Sequence, residues 1–352
     1  MEKAFAKNLI DIEPYVAGEQ PKTADIIKLN ANENPYPPSP EVRKVLAGFD
    51  YEDLKLYPPM DAAPLRQATA EYYGLESNWI FSGNGSDDVL AAAFRAFFNS
   101  DKPILYPDIT YSFYPVWCDL LKIPYRTIPV DDNFNVNVED YFTENGGIVL
   151  PNPNAPTTIG LPLEKIEELV KNNRDSVVII DEAYADFSTV SCVPLVKKYD
   201  NLVITQTFSK SRSFAGMRVA VAIADPYLIS YLDAVKDSYN SYPMDAVSIR
   251  AGVAAIRDRK YCEDTCKKIV ATRERTAKAL RELGFMMPDS SANFLFVTHP
   301  KRSAKEIFTF LRDKGIYVRY FNKPRIDNHL RITIGTDEQM DKLIAALKEL
   351  LG

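Results

Sequence analysis

The chain has 352 residues, 46% of them hydrophobic, and carries a formal net charge of -6 with a pI near 5.3. That length suffices for roughly two domains with a sizeable core, and the acidic balance argues against nucleic acid or anionic membrane surfaces as main partners. Four cysteines form no disulfide framework, no apolar segment approaches the ~20 residues of a membrane span, and Met1–Asn8 lacks the apolar core of a signal peptide, so a cytoplasmic protein is expected.

In chain order, the first forty or so residues are rich in proline and asparagine. The short apolar run Trp79–Phe81 then leads through a glycine-containing turn into the helical pattern Val89–Phe98. Apolar runs at 103–106, 123–128, 147–150, 177–180, 201–205 and 218–223 follow, alternating with helical stretches such as 162–174 and 226–236. That rhythm predicts an α/β fold with a mainly parallel sheet covered by helices, in which ligands collect at the carboxyl ends of the strands. A second, smaller unit is predicted from a long helical stretch at 245–283, a strand at 293–297, a helix at 303–314, strands at 316–320 and 330–334, and a closing helix at 337–351. No internal repeat or low-complexity tract interrupts this order.

Four motifs stand where such a fold puts chemistry. Gly83-Asn-Gly-Ser-Asp-Asp88 leads into a helix, and backbone N–H groups at a helix N-terminus form an anion site. Leu150-Pro-Asn-Pro-Asn-Ala-Pro-Thr157 has its backbone held by three prolines, leaving the side-chain amides of Asn152 and Asn154 to donate. Asp181-Glu-Ala-Tyr184 follows Val177–Ile180, a run of the β-branched type found in strands buried on both faces. Thr207-Phe-Ser-Lys-Ser-Arg-Ser-Phe-Ala-Gly-Met-Arg218 is a small-residue turn carrying Lys210 and, eight residues on, Arg218.

Each motif alone has an ordinary reading as a turn, a helix cap or a solvated loop. Together they fit one chemistry. A lysine amine that can lose its proton condenses with the aldehyde of pyridoxal phosphate, and serines with an arginine hold the phosphate. A carboxylate at Asp181 keeps the pyridine nitrogen protonated and the ring electron-withdrawing, while Tyr184 reaches the phenolic oxygen. Other chemistries are disfavoured. His299 and His329 lie in no motif with a serine or cysteine nucleophile, and Cys262 and Cys266, although i, i+4 on a helix, have no histidine nearby to complete a metal site. No metal is expected.

In this order, the four motifs resemble the fold type I pyridoxal-phosphate aminotransferases, and more narrowly the histidinol-phosphate aminotransferase family. Ile12-Glu-Pro-Tyr-Val-Ala-Gly18, Leu29-Asn-Ala-Asn-Glu-Asn-Pro35, Ser291-Ala-Asn-Phe294, Gly315-Ile-Tyr-Val-Arg319 and Leu330-Arg-Ile-Thr-Ile-Gly-Thr336 extend the resemblance over the whole length. It implies a large cofactor domain with a mainly parallel seven-stranded sheet over 46–250, a small α/β domain over 251–352, and an arm over 1–45 that joins the small domain. It assigns the cofactor to Gly85, Ser86, Asp87, Tyr111, Asn154, Asp181, Tyr184, Thr207, Ser209, Lys210 and Arg218, with Tyr57 lent to the phosphate of a neighbouring subunit in a homodimer. The substrate falls to Tyr15, Asn32, Asn293, Arg319 and Arg331, the two arginines taking its anionic group. Catalysis is assigned to Lys210, Asp181 and Tyr184.

The implied reaction is ping-pong transfer of an amino group from histidinol phosphate to 2-oxoglutarate, a step of histidine biosynthesis. Two departures are visible. The family's usual Asn-Asn-Pro-Thr-Gly reads Asn154-Ala-Pro-Thr-Thr here, which leaves Asn152 and Asn154 as competing cofactor amides, and Phe214 replaces a common leucine. The scaffold also admits an aromatic aminotransferase, a phosphothreonine-type decarboxylase, or a ligand-sensing domain, the last disfavoured because no DNA-binding segment precedes this sequence.

Overall fold

Runs of valine, isoleucine and leucine that lose all contact with water on both faces dictate the central sheet. In the computed structural model, which describes residues 6–15, 19, 21, 26–188 and 190–352, Val178, Ile179 and Ile180 have 0% exposure. Val16, Ala17 and Gly18 of the first N-terminal motif, and most of 1–25 in the expected arm, lie outside the described residues.

After the short strand β1 (Ile27–Lys28), seven strands form one sheet: β2 (Ile80–Gly83), β3 (Ile104–Pro107), β4 (Tyr125–Ile128), β5 (Gly147–Pro151), β6 (Val178–Asp181), β7 (Leu202–Thr207) and β8 (Ala220–Ala224). Their order is β2-β8-β7-β6-β5-β3-β4, with only β8 running antiparallel to its neighbours. Because successive side chains point to opposite faces, Val149, Ile179 and Val203 meet Phe94 and Leu232 from helices Ser86–Phe97 and Pro226–Tyr239. On the other face Leu150, Ile180 and Ile204 meet Leu169 and Ile249 from helices Leu163–Lys171 and Ala246–Arg257.

The smaller unit contains β9 (Phe294–Val297), β10 (Ile316–Tyr317), β11 (Arg319–Tyr320) and β12 (Leu330–Thr333). β11, β12 and β9 make an antiparallel sheet, whereas β10 pairs in parallel with β1. Helices Arg259–Glu282, Ala304–Asp313 and Asp337–Leu351 cover it through Ile269, Ile307 and Leu343.

Two expectations need correction. The helical stretch predicted over 245–283 is two helices, because Asp258 leaves the first and accepts from Tyr261 N at 3.3 Å as N-cap of the second. Residues 250 and 251 lie inside Ala246–Arg257, whose Ile249, Ala255 and Ile256 pack into the core that also holds Leu150 and Ile180. The strand predicted over 316–320 is two strands in different sheets, divided at Val318, because β1 supplies an edge partner from nearly three hundred residues away. Among the described residues, no helix is long and apolar enough to cross a membrane.

Candidate active site

The parallel strands deliver their last residues to one edge of the sheet. Asp181 ends β6, and burial pushes its carboxyl up to about 6, against hydrogen bonds that favour the anion. Tyr114 donates its hydroxyl proton to Oδ2 at 2.9 Å, and Thr205 Oγ1 donates to Oδ1 at 3.3 Å. A carboxylate held this way is poised to take a cationic N–H partner.

Lys210 follows β7 in the turn after Thr207. Burial, helped by the positive field of Arg331, brings its amine down to about 8, so a useful fraction is unprotonated near neutral pH. Its neighbours come from the segment 30–34. Lys210 Nζ donates to the Ala31 carbonyl at 3.2 Å, and Asn34 Nδ2 donates to the Lys210 and Ser211 carbonyls at 2.9 and 3.1 Å. Asn32 Nδ2 donates to the buried Tyr184 hydroxyl at 2.8 Å, and Arg331 Nη2 donates to the Asn30 carbonyl at 3.0 Å. One short stretch thus touches the lysine, the tyrosine and the arginine.

An anion cradle lies at the start of helix Ser86–Phe97. Gly85 caps it with φ +87°, and a Cβ there would fall 2.6 Å from Arg218 Nη2. Only glycine lets the guanidinium lie against the turn. Arg218 Nη2 also reaches Asp87 Oδ2 at 3.0 Å, and the buried hydroxyls of Thr207 and Ser209 bond each other at 3.0 Å. Guanidinium, hydroxyls and free N–H groups at a helix start suit a phosphate dianion. With Asp181 for a ring nitrogen and Lys210 for an aldehyde, these donors fit pyridoxal phosphate.

Beyond Lys210 opens a cavity of about 670 Å³, lined among others by Tyr15, Asn32, Tyr111, Tyr184, Arg319 and Arg331. Arg319 and Arg331 are direct register partners on β11 and β12. Arg331 Nε is buried without a hydrogen-bond partner among the described residues, and burial, with Arg319 nearby, lowers the Arg331 pKa. Tyr15 stacks on Phe113 with centroids 4.8 Å apart, and Tyr111 donates to Asp87 Oδ1 at 2.9 Å.

The asparagines sort by their bonds. Both ends of the Asn152 amide clamp the Leu161 backbone, Oδ1 accepting at 2.7 Å and Nδ2 donating at 3.2 Å. Asn154 instead bonds Thr110 and the Ile109 carbonyl, beside Tyr111 at the cavity wall. Asn293 donates to the Asn32 carbonyl at 3.0 Å and so steadies that segment. Tyr57 is 82% exposed and outside the cavity lining. The sequence reading missed Tyr114 and Asn34. A second tyrosine three residues after Tyr111 was the available signal for one, and the last asparagine of Leu29–Pro35 for the other.

The class I and II aminotransferase family model matches residues 24–347. A histidinol-phosphate aminotransferase of Lactococcus lactis subsp. cremoris is 51% identical over 348 residues, spanning 99% of this chain and 98% of the relative. That of Acinetobacter baylyi is 53% identical, with 96% and 94% covered. The crystal structure of the Sinorhizobium meliloti histidinol-phosphate aminotransferase in complex with pyridoxal-5'-phosphate shares the fold, with a TM-score of 0.83 at 23% identity over 92% of this chain and 90% of that one. By motif, fold and full-length likeness, this chain belongs to the class I and II aminotransferases and, within them, to the histidinol-phosphate aminotransferase family.

Proposed function

We propose that the protein is a pyridoxal-phosphate-dependent, cytoplasmic, homodimeric aminotransferase that moves the amino group of histidinol phosphate to 2-oxoglutarate. The observation that carries the substrate is the in-register pair Arg319 and Arg331 on the wall of the cavity that Lys210 enters. Like charges directly opposite on neighbouring strands repel, so an anion bridging them removes a penalty as well as adding bonds. A phosphate has the charge and acceptor count for two guanidinium forks. The acceptor's carboxylate uses the same arginines in the second half-reaction.

Bound pyridoxal phosphate supplies the electron-withdrawing ring that makes the substrate's amine-bearing carbon acidic. The residues of this chain do the rest. Gly85, Ser86, Asp87, Thr207, Ser209 and Arg218 hold the phosphate end, with Tyr57 reaching in from a second subunit. Asp181, oriented by Tyr114 and Thr205, would hold the ring nitrogen and keep its proton in place. Tyr184, fixed by Asn32, and Asn154 would hold the phenolic oxygen, and Tyr111 would support the ring. Lys210 Nζ, its pKa lowered by burial, takes the proton from the substrate carbon that bears the amine. Arg319 and Arg331 fix the far end of the substrate, while Tyr15 and Asn293 complete that side.

The units divide at Asp258 in this reading: Asp181 and Lys210 belong to the larger, and Arg319 and Arg331 to the smaller. The test supplies histidinol phosphate, histidinol, phenylalanine and phosphothreonine in turn with 2-oxoglutarate and identifies the products. Glutamate should form fastest with histidinol phosphate. Faster turnover of phenylalanine would move the chain to the aromatic branch, and carbon dioxide from phosphothreonine would make it a decarboxylase.

A further inference from the structure

Lys236 is a lysine with 2% exposure in the last turn of helix Pro226–Tyr239. A buried ammonium is tolerated only when its donors are satisfied, and a helix C-terminus favours the cation. All three N–H donors of Lys236 are used. They go to the Met60 carbonyl at 3.2 Å, the Ser241 carbonyl at 3.3 Å and the Asp237 carboxylate. One turn earlier on the same helix, Asp233 Oδ2 accepts from the buried Arg66 at 2.9 Å, which anchors this platform to helix Ala63–Tyr73.

The two carbonyls belong to loops that carry exposed aromatics. Met60 lies three residues after Tyr57, and Ser241 immediately precedes Tyr242. The Tyr57 and Tyr242 rings stack with centroids 4.7 Å apart, yet Tyr57 is 82% and Tyr242 40% exposed. Beyond the stacking of the two rings on each other, Tyr57 buries little of its surface within one subunit. Its ordering benefits a surface that must meet a second copy already shaped, because preorganisation removes the ordering cost at the moment of contact.

We propose that Lys236 is a positioning residue for catalysis across the dimer: by stapling the 57–60 and 241–242 loops, it presents Tyr57 to the cofactor phosphate of a second copy of this chain. The inference rests on the reading above in which Tyr57 serves a neighbouring subunit. Lys236 lies outside the lining of the cavity, so its effect should reach cofactor affinity only through Tyr57.

The experiment measures the pyridoxal phosphate Kd of the stripped full-length dimer for wild type, Y57F, K236M and the double variant, with hydrogen exchange at the amides of 57–60 and 241–242. Y57F removes one charge-assisted bond and should weaken binding by about tenfold to a hundredfold. K236M should weaken it by a similar factor and speed exchange in both loops, and the double variant should lose little more. If Y57F weakens binding while K236M leaves Kd unchanged, or if the two losses add in full, Lys236 has no such role. If Y57F itself changes nothing, the reading of Tyr57 fails, and the proposal fails with it. Should K236M not accumulate as a folded dimer, K236Q, which keeps two donors and sheds the charge, is measured against the same outcomes.

Discussion

Arg319 and Arg331 face each other across one step of an antiparallel register, two positive side chains where a sheet ordinarily places opposite charges. Phe294 and Phe321 lie about the Arg331 guanidinium, 5.4 and 5.8 Å from its central carbon, and Phe321 also sits 5.8 Å from that of Arg319. Aromatic faces partly offset the desolvation of the cations without using their N–H donors; Arg331 Nη2 is engaged by the Asn30 carbonyl, and its Nε has no partner among the described residues.

Histidinol phosphate is therefore expected to exceed histidinol in kcat/KM by at least about a hundredfold, since two charge-assisted hydrogen bonds are worth about 1.5–3 kcal/mol each. R319A should erase most of that preference. Steady-state kinetics on both substrates decides it, and equal activity on the two would remove the phosphate from the argument.

Gly85 is the second sensitive position. G85A places a methyl 2.6 Å from Arg218 Nη2 on a backbone with φ +87°, so the guanidinium must leave the turn and the chain carries about 1–3 kcal/mol of strain. Pyridoxal phosphate titration of the stripped protein should show affinity reduced more than tenfold. Unaltered affinity would mean that Arg218 does not hold the phosphate.

The Asp181 carboxyl titrates at about 6 in the folded chain against an ordinary 3.8. The cofactor-free folded state therefore binds more protons than the unfolded one between about pH 4 and 6, and this group's contribution to stability is lost as pH rises through that window. Above it, the loss amounts to about 3 kcal/mol at 1.36 kcal/mol per unit. Urea unfolding of stripped D181N, compared with wild type at pH 4.5 and 7.5, should show the variant gaining relative stability at the higher pH. Parallel profiles would contradict a buried, proton-binding Asp181. In the loaded enzyme, D181N should still fold but lose most of kcat.

Asn152 and Asn154 separate by different measurements. N152A frees the backbone N–H and carbonyl of Leu161 and should cost about 1–3 kcal/mol of stability. N154A should instead shift the absorbance of the bound cofactor at smaller cost to the melting temperature. The reverse pattern would hand the cofactor contact to Asn152.

Much of this site was legible in one dimension. Asp181 stands out because it directly follows the apolar run 177–180, and Lys210 because its small-residue turn begins where β7 ends at Thr207, and both therefore fall at the mouth of a parallel sheet. Gly85 was legible as a glycine before a helix, but not the reason for it, which is Arg218 packed against its Cα. Tyr114 was invisible because its bond to Asp181 spans sixty-seven residues, and the break at Val318 because β1 pairs only with the first half of the predicted strand.

The amino-acid sequence by itself determined the strand rhythm, the chemical type of each group at the strand ends and the family, since periodicity and motif spacing are local properties of the chain. Tertiary structure alone decided which groups meet: Arg319 opposite Arg331, Asn32 on Tyr184, and the 30–34 segment across Lys210. It also decided the shifted proton affinities of Asp181 and Lys210, because these come from burial and from charges brought close through space, and neither depends on separation along the chain.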